Sequence, residues 1–580
     1  MTPKFDSWDD VIAFACALPD VEMLSFYGTP CPKLNGKALA SPGREAGSFA
    51  VMCKPDEKEI LLETDPDTFW QPRIMKAGTR CLSASGRTIP NASPMFSAAP
   101  GGTAPKSRSA SPLANGLKML RWFAPALAFA ALPAHAADPH AEIDRAWAAG
   151  YRAAFTCSSL WNGAGKSLDA IERDELTGIY PEIEADVRAL KADVDDKAKR
   201  VSVRYRDDMP PRIAEWDSRE GCVTLPIGAA PRERSDYRPG RSKLDDKAWP
   251  LGDASARAPM PRAPTRYELA VMDGAAFGGR TSALLIVKNG KIAVEQYQDG
   301  HDVHTAQRTF SVAKSMAATL IGNAVLDGAI DPTKPALIAD WQAPGDPRAA
   351  ITTEQLMRMA SGLTSDTAGN RSDAIYMGGA SVRQWTVQWP LLNAPGSVYR
   401  YANNDTLLAV QSLKAARQKA LDARNAKSAM IRSGLALDPV DFFDHLGMTR
   451  TFVEHDTDGD FILSSQVWTS ARDLARLGLL YQDDGMWQGR RLLPENWRRF
   501  VTTPSGPQPA GPFGYGAGFW LLNKSEGIPA DAFGAFGNRG QYVIVIPSRK
   551  LVIVRQGYDD DKNRLDIAKL VAAVVAADKP

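Results

Sequence analysis

The chain is poor in the residues that hold metals. Its 580 residues include six histidines and six cysteines, with no Cys-x-x-Cys pair and no Cys/His cluster at zinc spacing. The nearest approach, His301-Asp-Val-His304, stands in a polar connection without further donors and reads as solvated loop. No metal and no cofactor is expected. An excess of one charge is missing too: 69 basic and 67 acidic residues leave a formal charge of +2, interspersed along the chain. Nothing in that balance points to a nucleic-acid partner. The Gly-x-Ser-x-Gly elbow of α/β-hydrolases does not occur. The most apolar segment is short and Ala-rich, so no stable membrane insertion is expected. What remains, 44% hydrophobic and 23% charged residues, is an ordinary globular composition with length for several folding units.

The chain reads as though it starts twice. Gly28-Thr-Pro-Cys-Pro-Lys-Leu-Asn-Gly-Lys37, Phe49-Ala-Val-Met-Cys-Lys-Pro-Asp56 and Leu61-Leu-Glu-Thr-Asp-Pro-Asp-Thr-Phe-Trp70 resemble the small MmcQ/YjbR-like α+β proteins, so 1–72 is expected to be a fragment of that kind. Residues 73–118 are rich in Ser, Ala, Pro, Gly and Arg without helix or strand period, the pattern of a linker or an out-of-frame segment. Then Lys118-Met-Leu-Arg121, Trp122-Phe-Ala-Pro-Ala-Leu-Ala-Phe-Ala-Ala-Leu132 and Ala134-His-Ala136 supply the positive region, apolar region and small-x-small site of a secretory signal peptide over 119–136. The expectation is a functional protein that begins at Met119, is cleaved near Ala136 and is periplasmic or secreted. Residues 1–118 would then be an upstream fragment joined by a frameshift or a misassigned start. Export would let Cys157 and Cys222 close a disulfide, and two separate buried thiols are the alternative. Residues 137–264 read as an amino-terminal extension.

From residue 265 the pattern sharpens. Ser282-Ala-Leu-Leu-Ile-Val-Lys288, Asn289-Gly290 and Lys291-Ile-Ala-Val-Glu-Gln-Tyr297 predict a hairpin on its strongest short-range signal. A dozen residues later Thr309-Phe-Ser-Val-Ala-Lys-Ser315 leads into an apolar, helix-forming run. Ser311 and Lys314 thus share one face of a first helical turn, where the amine reaches the hydroxyl. A serine attacks well only if a base takes its proton, and a lysine is that base only if its pKa is lowered. Ser-x-x-Lys alone arises by chance, so its company matters. Tyr401-Ala-Asn403 follows a Pro-Gly turn, and Ala535-Phe-Gly-Asn-Arg-Gly-Gln541 enters a strand paired with Leu551-Val-Ile-Val-Arg555.

These three elements in this order, with Ile351-Thr-Thr-Glu-Gln-Leu-Met-Arg-Met-Ala-Ser-Gly-Leu363, His445-Leu-Gly-Met-Thr-Arg-Thr451 and Trp468-Thr-Ser-Ala-Arg-Asp-Leu-Ala-Arg-Leu-Gly-Leu-Leu-Tyr481, resemble the serine β-lactamase superfamily. The likeness is to its class C-like and esterase branch, nearest to 6-aminohexanoate-dimer hydrolase-like proteins, over 265–580. It implies an α/β (α+β) β-lactamase/transpeptidase-like fold: an antiparallel sheet flanked by helices, with an all-helical domain inserted over most of 330–500. It also implies Ser311 as nucleophile, Lys314 as its base, Tyr401 as acid/base partner and Asn403 as orienting group. The backbone N–H groups of Ser311 and Asn538 would form the oxyanion hole. The third element departs from Lys-Thr-Gly, reading Ala535-Phe536-Gly537, which removes a charge that would anchor a substrate carboxylate. The implied activity is that of an exported serine hydrolase acting on a small-molecule ester or amide. A D,D-peptidase or weak β-lactamase is the alternative, and a non-catalytic binding protein on the same scaffold another.

Overall fold

The computed structural model describes residues 139–163, 165–231, 244–254, 265–271, 274–365, 372–425 and 438–578, together with the helical and strand segments of 4–88. The chain divides into two compact units, Met1–Glu142 and Ile143–Pro580.

In the first unit the helix Trp8–Cys16 buries Val11 and Ala15. Val21–Phe26 pairs with Thr29–Leu34, and Ser48–Met52 pairs with Arg80–Ala84. The last pairing corrects the expectation that strand structure ends at residue 72. Arg80-Cys-Leu-Ser-Ala84 has no apolar alternation and is held as a strand by partners some thirty residues earlier, so periodicity could not reveal it. The signal-peptide reading of 119–136 and most of the linker reading of 73–118 lie outside the described residues.

The second unit is built on a seven-stranded antiparallel sheet. From one edge its strands are Lys291–Tyr297, Thr281–Lys288, Leu551–Gly557, Gln541–Ile546, Phe533–Gly537, Trp520–Leu521 and Gly514–Tyr515. The Asn289-Gly290 hairpin forms as expected, with both turn residues at positive φ. The central strands are apolar on both faces because both are covered. Leu285, Val287, Val543, Val545, Val552 and Val554 face a core shared with the helices Val312–Leu326 and Ala471–Gln482. Leu284, Ile286, Ile544, Ile546 and Ile553 alternate with them and pack on Arg266–Val271 and Ile567–Ala577. Ala471–Gln482 comes close because Gly478 carries no Cβ, which would stand 2.4 Å from a Val552 methyl.

Residues 330–500 hold the helices Thr353–Met357, Asp373–Tyr376, Val382–Thr386, Asn403–Asn425 and Pro439–His445. The Thr352/Gln355 capping box is present. Ala471–Gln482 falls inside that sequence range but belongs to the sheet's helical cover. The antiparallel sheet, its flanking helices and the inserted region are the β-lactamase/transpeptidase-like fold that the sequence implied. The insertion, however, is not all-helical as expected: Phe452–Val453 pairs with Val467–Thr469 and Met486–Trp487 with Arg490–Arg491, strands of two or three residues that are too short to show a period.

The described residues of 139–231, within the expected amino-terminal extension, are packed into the rest of the second unit. The long helix Pro139–Trp161 and the four-stranded sheet, Ala192–Asp195 to Gly221–Thr224, share a core with Ala306, Ile375, Tyr376, Leu407, Ile462 and Trp468 of the hydrolase-like region. Cys157 and Cys222 are joined as a disulfide that links this helix to the last strand of that sheet.

Candidate active site

The strand Gln307–Arg308 pairs with Val467–Thr469 and delivers the chain into Val312–Leu326. Phe310 takes a left-handed φ of 48°, a conformation bulky residues rarely adopt, and Ser311 follows at the helix N-cap position. The helix is apolar on all sides and buried nearly throughout, as a central helix must be. It fixes Lys314 one turn in, with the side chain back over Ser311.

Lys314 is 2% exposed. Its Nζ lies 2.9 Å from Ser311 Oγ, 2.6 Å from Asn403 Oδ1 and 2.9 Å from the Ser464 carbonyl oxygen, and sits 5.0 Å from the Tyr401 ring centre. Burial, and then the Arg308 guanidinium, lower its pKa to about 7. Ser311 is half-buried, so it remains open to a ligand. Tyr401 is also half-buried. Burial pushes its hydroxyl up to about 12, partly offset by hydrogen bonds from Ser311 and the Trp520 indole. Tyr401 and Ala402 lie in the connection after the Pro-Gly turn, and Asn403 opens the helix Asn403–Asn425, whose first turn fixes its hold on Lys314.

On the far side, Phe533–Gly537 ends against the turn that carries Ser311. A Cβ on Gly537 would lie 3.3 Å from the Ser311 nitrogen and 2.1 Å from the Thr309 oxygen, so this position takes only glycine. Asn538, next in the chain, is exposed. Phe536, the middle residue of the Ala535-Phe536-Gly537 departure from Lys-Thr-Gly, stacks on Trp520, which in turn lies 5.5 Å from the Tyr401 ring. The structure therefore brings Ser311, Lys314, Tyr401 and Asn403 together and sets the Gly537–Asn538 corner beside them.

Sequence reasoning missed three contributors. Arg308 is caged by the rings of Phe310, Phe155 and Tyr376, and its Nε and Nη1 have no hydrogen-bond partner among the described residues. It lies only three residues before Ser311, a signal that was available. The Ser464 carbonyl and Trp520 arrive from distant segments and left none. The pair His301/His304 lies in a connection as expected, but both rings are half-buried and have protein partners rather than solvent alone. His301 hydrogen-bonds the Tyr558 hydroxyl, and His304 lies near Asp245 and Asp253. Those three groups fall within 4.8 Å of one another, but Asp245 is already paired with Arg450, and Asp253 with Arg472 and Arg476.

An antiparallel sheet with a central buried helix bearing Ser-x-x-Lys, faced by a Tyr-x-Asn helix start, is the architecture of β-lactamases and penicillin-binding transpeptidases. The chain belongs to the β-lactamase family, whose model matches residues 272–575. Among solved structures, the chain is similar to a Bacillus anthracis protein assigned as a 6-aminohexanoate-dimer hydrolase, at 20% identity over 55% of this chain and 80% of that one, with a TM-score of 0.40. It is similar to a D-stereospecific amidohydrolase from Streptomyces sp. at 18% identity over 54% and 98%, TM-score 0.40. A D-alanine carboxypeptidase from Burkholderia cenocepacia matches at 18% identity over 54% and 98%, TM-score 0.37. No curated protein matches the sequence.

Proposed function

We propose that this chain is an exported serine hydrolase that cleaves an ester or amide through an acyl-enzyme on Ser311, in the manner of 6-aminohexanoate-dimer hydrolases and esterases. The observation that carries the reading is the buried Lys314 amine, 2.9 Å from Ser311 Oγ with a pKa near neutrality. Neutral Lys314 takes the Ser311 proton as Oγ attacks the carbonyl carbon. The tetrahedral oxyanion is received by the N–H groups of Ser311 and Asn538. Tyr401 and Lys314 return the proton to the leaving oxygen or nitrogen, the bond to it breaks, and the acyl group stays on Oγ. Water, deprotonated along the same route, then releases the acid. Asn403 holds the amine in place throughout and faces the substrate.

Phe536 in place of a polar residue, with no lysine at 535, disfavours substrates that depend on a bound carboxylate. Fluorophosphonate labelling tests the core of the proposal: an adduct on Ser311 is expected, and correctly folded protein left unlabelled there would sink it. Ser311→Ala and Lys314→Ala should each lower turnover of a p-nitrophenyl ester by more than about a thousandfold. A linear amide dimer and a chromogenic cephalosporin assayed alongside separate amidase from β-lactamase activity.

Export is supported by the signal-like sequence at 119–136 and by the Cys157–Cys222 disulfide, a bond that persists in oxidising compartments. No described helix is long and apolar enough to cross a membrane. Intact mass of the protein from its native host, showing a terminus near Ala137, is the expected result. Retained residues 1–118 would refute it.

A further inference from the structure

The corner after Phe533–Gly537 is held more firmly than a turn requires. Arg539 adopts φ 55°, ψ 25°, a left-handed conformation that a long side chain enters only at a cost. The residue as a whole is 8% exposed. Nη1 donates to the Asp174 carbonyl at 2.9 Å, Nη2 to the Thr177 carbonyl at 2.8 Å and Nε to the Asp559 carbonyl at 3.3 Å. Its main chain is tied as well. The carbonyl accepts from Asp559 N–H at 3.1 Å and from Gln541 Nε2 at 3.2 Å, and the N–H donates to Asn538 Oδ1 at 2.8 Å.

The two carbonyls that hold the fork belong to the amino-terminal segment, which supplies none of the catalytic motifs. They are themselves fixed. Glu184 accepts the N–H groups of Gly178 and Ile179, both at 3.2 Å, and Thr177 Oγ1 donates to the Glu172 carbonyl at 2.8 Å. On the opposite side the corner abuts the nucleophile turn through Gly537. A backbone donor cannot be re-aimed by its own side chain, so the direction of Asn538 N–H is set by the residues that fix φ and ψ around it.

We propose that Arg539 is a positioning residue that makes the amino-terminal segment a working part of the active site: clamped to the carbonyls of Asp174 and Thr177, it aims Asn538 N–H at the oxyanion. The inference rests on the reading of Ser311 as nucleophile and Asn538 as oxyanion donor. Because that donor meets charge present only in the transition state, loss of aim appears in kcat and not in KM.

Arg539→Gly separates the clamp from the backbone, since glycine takes the left-handed conformation without strain. With a p-nitrophenyl ester, kcat is expected to fall about 10- to 100-fold, with KM changed by less than about threefold. Millimolar guanidinium should restore part of the loss in Arg539→Gly and leave wild type unaffected. Wild-type kcat in the folded variant, or a loss that guanidinium does not restore, overturns the proposal. If Arg539→Gly does not fold, Arg539→Lys decides. It keeps the charge but cannot span both carbonyls, so its kcat should fall with KM held, and wild-type kcat overturns the proposal. Full activity in Ser311→Ala would instead remove the underlying reading of the nucleophile, which keeps the two failures distinct.

Discussion

In the proposed mechanism Lys314 can act as a base only while it is uncharged, and two features of its surroundings favour that form: enclosure away from water and the buried Arg308 cation. As the pKa is lowered to about 7, the neutral fraction grows as pH rises through that value. Thus kcat/KM should climb through an apparent pKa near 7 and level off above it. Arg308→Met keeps the stacking surface against Phe310 and Phe155 but removes the charge. The rise should then move to higher pH and activity at pH 7 should drop, while the plateau at high pH is regained. A pH–rate profile of both proteins checks this, and an unshifted profile would assign Arg308 a packing role alone. At this scale the sequence was informative where chemistry sits in short motifs: Ser311 and Lys314 share a turn as their spacing implied, and Tyr401 and Asn403 lie beside them as the family resemblance implied. It was silent on Ser464, Trp520 and the Arg539 clamp, whose partners lie from about a hundred to more than three hundred residues away and leave no periodic trace.

Among the elements, hairpins announced themselves and the amino-terminal sheet did not. Asn289-Gly290 can form only a few turns, so its two strands were legible. The strands at 192–224 are short, carry charges and are held by a core drawn from distant helices. One contact in that core is ionisable. Glu454 Oε1 accepts from Ser158 Oγ, Asn162 Nδ2 and the Cys222 N–H, joining the helix Pro139–Trp161 to the strand Gly221–Thr224. Burial raises its pKa to about 7, above the unfolded value of about 4.3. The folded state therefore holds the extra proton. The stability this group contributes is complete below pH of about 4 and is lost as pH rises through 7. Glu454→Gln retains the acceptor oxygen and cannot ionise. Melting temperatures from pH 4 to 8 should decline less steeply in Glu454→Gln than in wild type. Parallel slopes would mean that Glu454 stays ionised in the folded protein.

For the molecule as a whole, the consequence of sharing one core is that the amino-terminal segment and the hydrolase-like region should unfold together. The Cys157–Cys222 bond spans 65 residues, and closing a loop of that length in the unfolded chain is worth about 4 kcal/mol in the chain-entropy account. Replacing both cysteines by serine should lower the urea midpoint for the entire second unit, activity and near-ultraviolet signal falling in one transition. Two separate transitions would show that the segment is a module of its own. The same bond changes what proteolysis can do. Lys197 is exposed in the turn between Ala192–Asp195 and Arg200–Val203, inside the closed loop. A tryptic nick there severs the polypeptide without releasing a piece: the chain should migrate intact on a non-reducing gel, split in two once thiol is added, and until then turn over a p-nitrophenyl ester at the rate of the uncut protein.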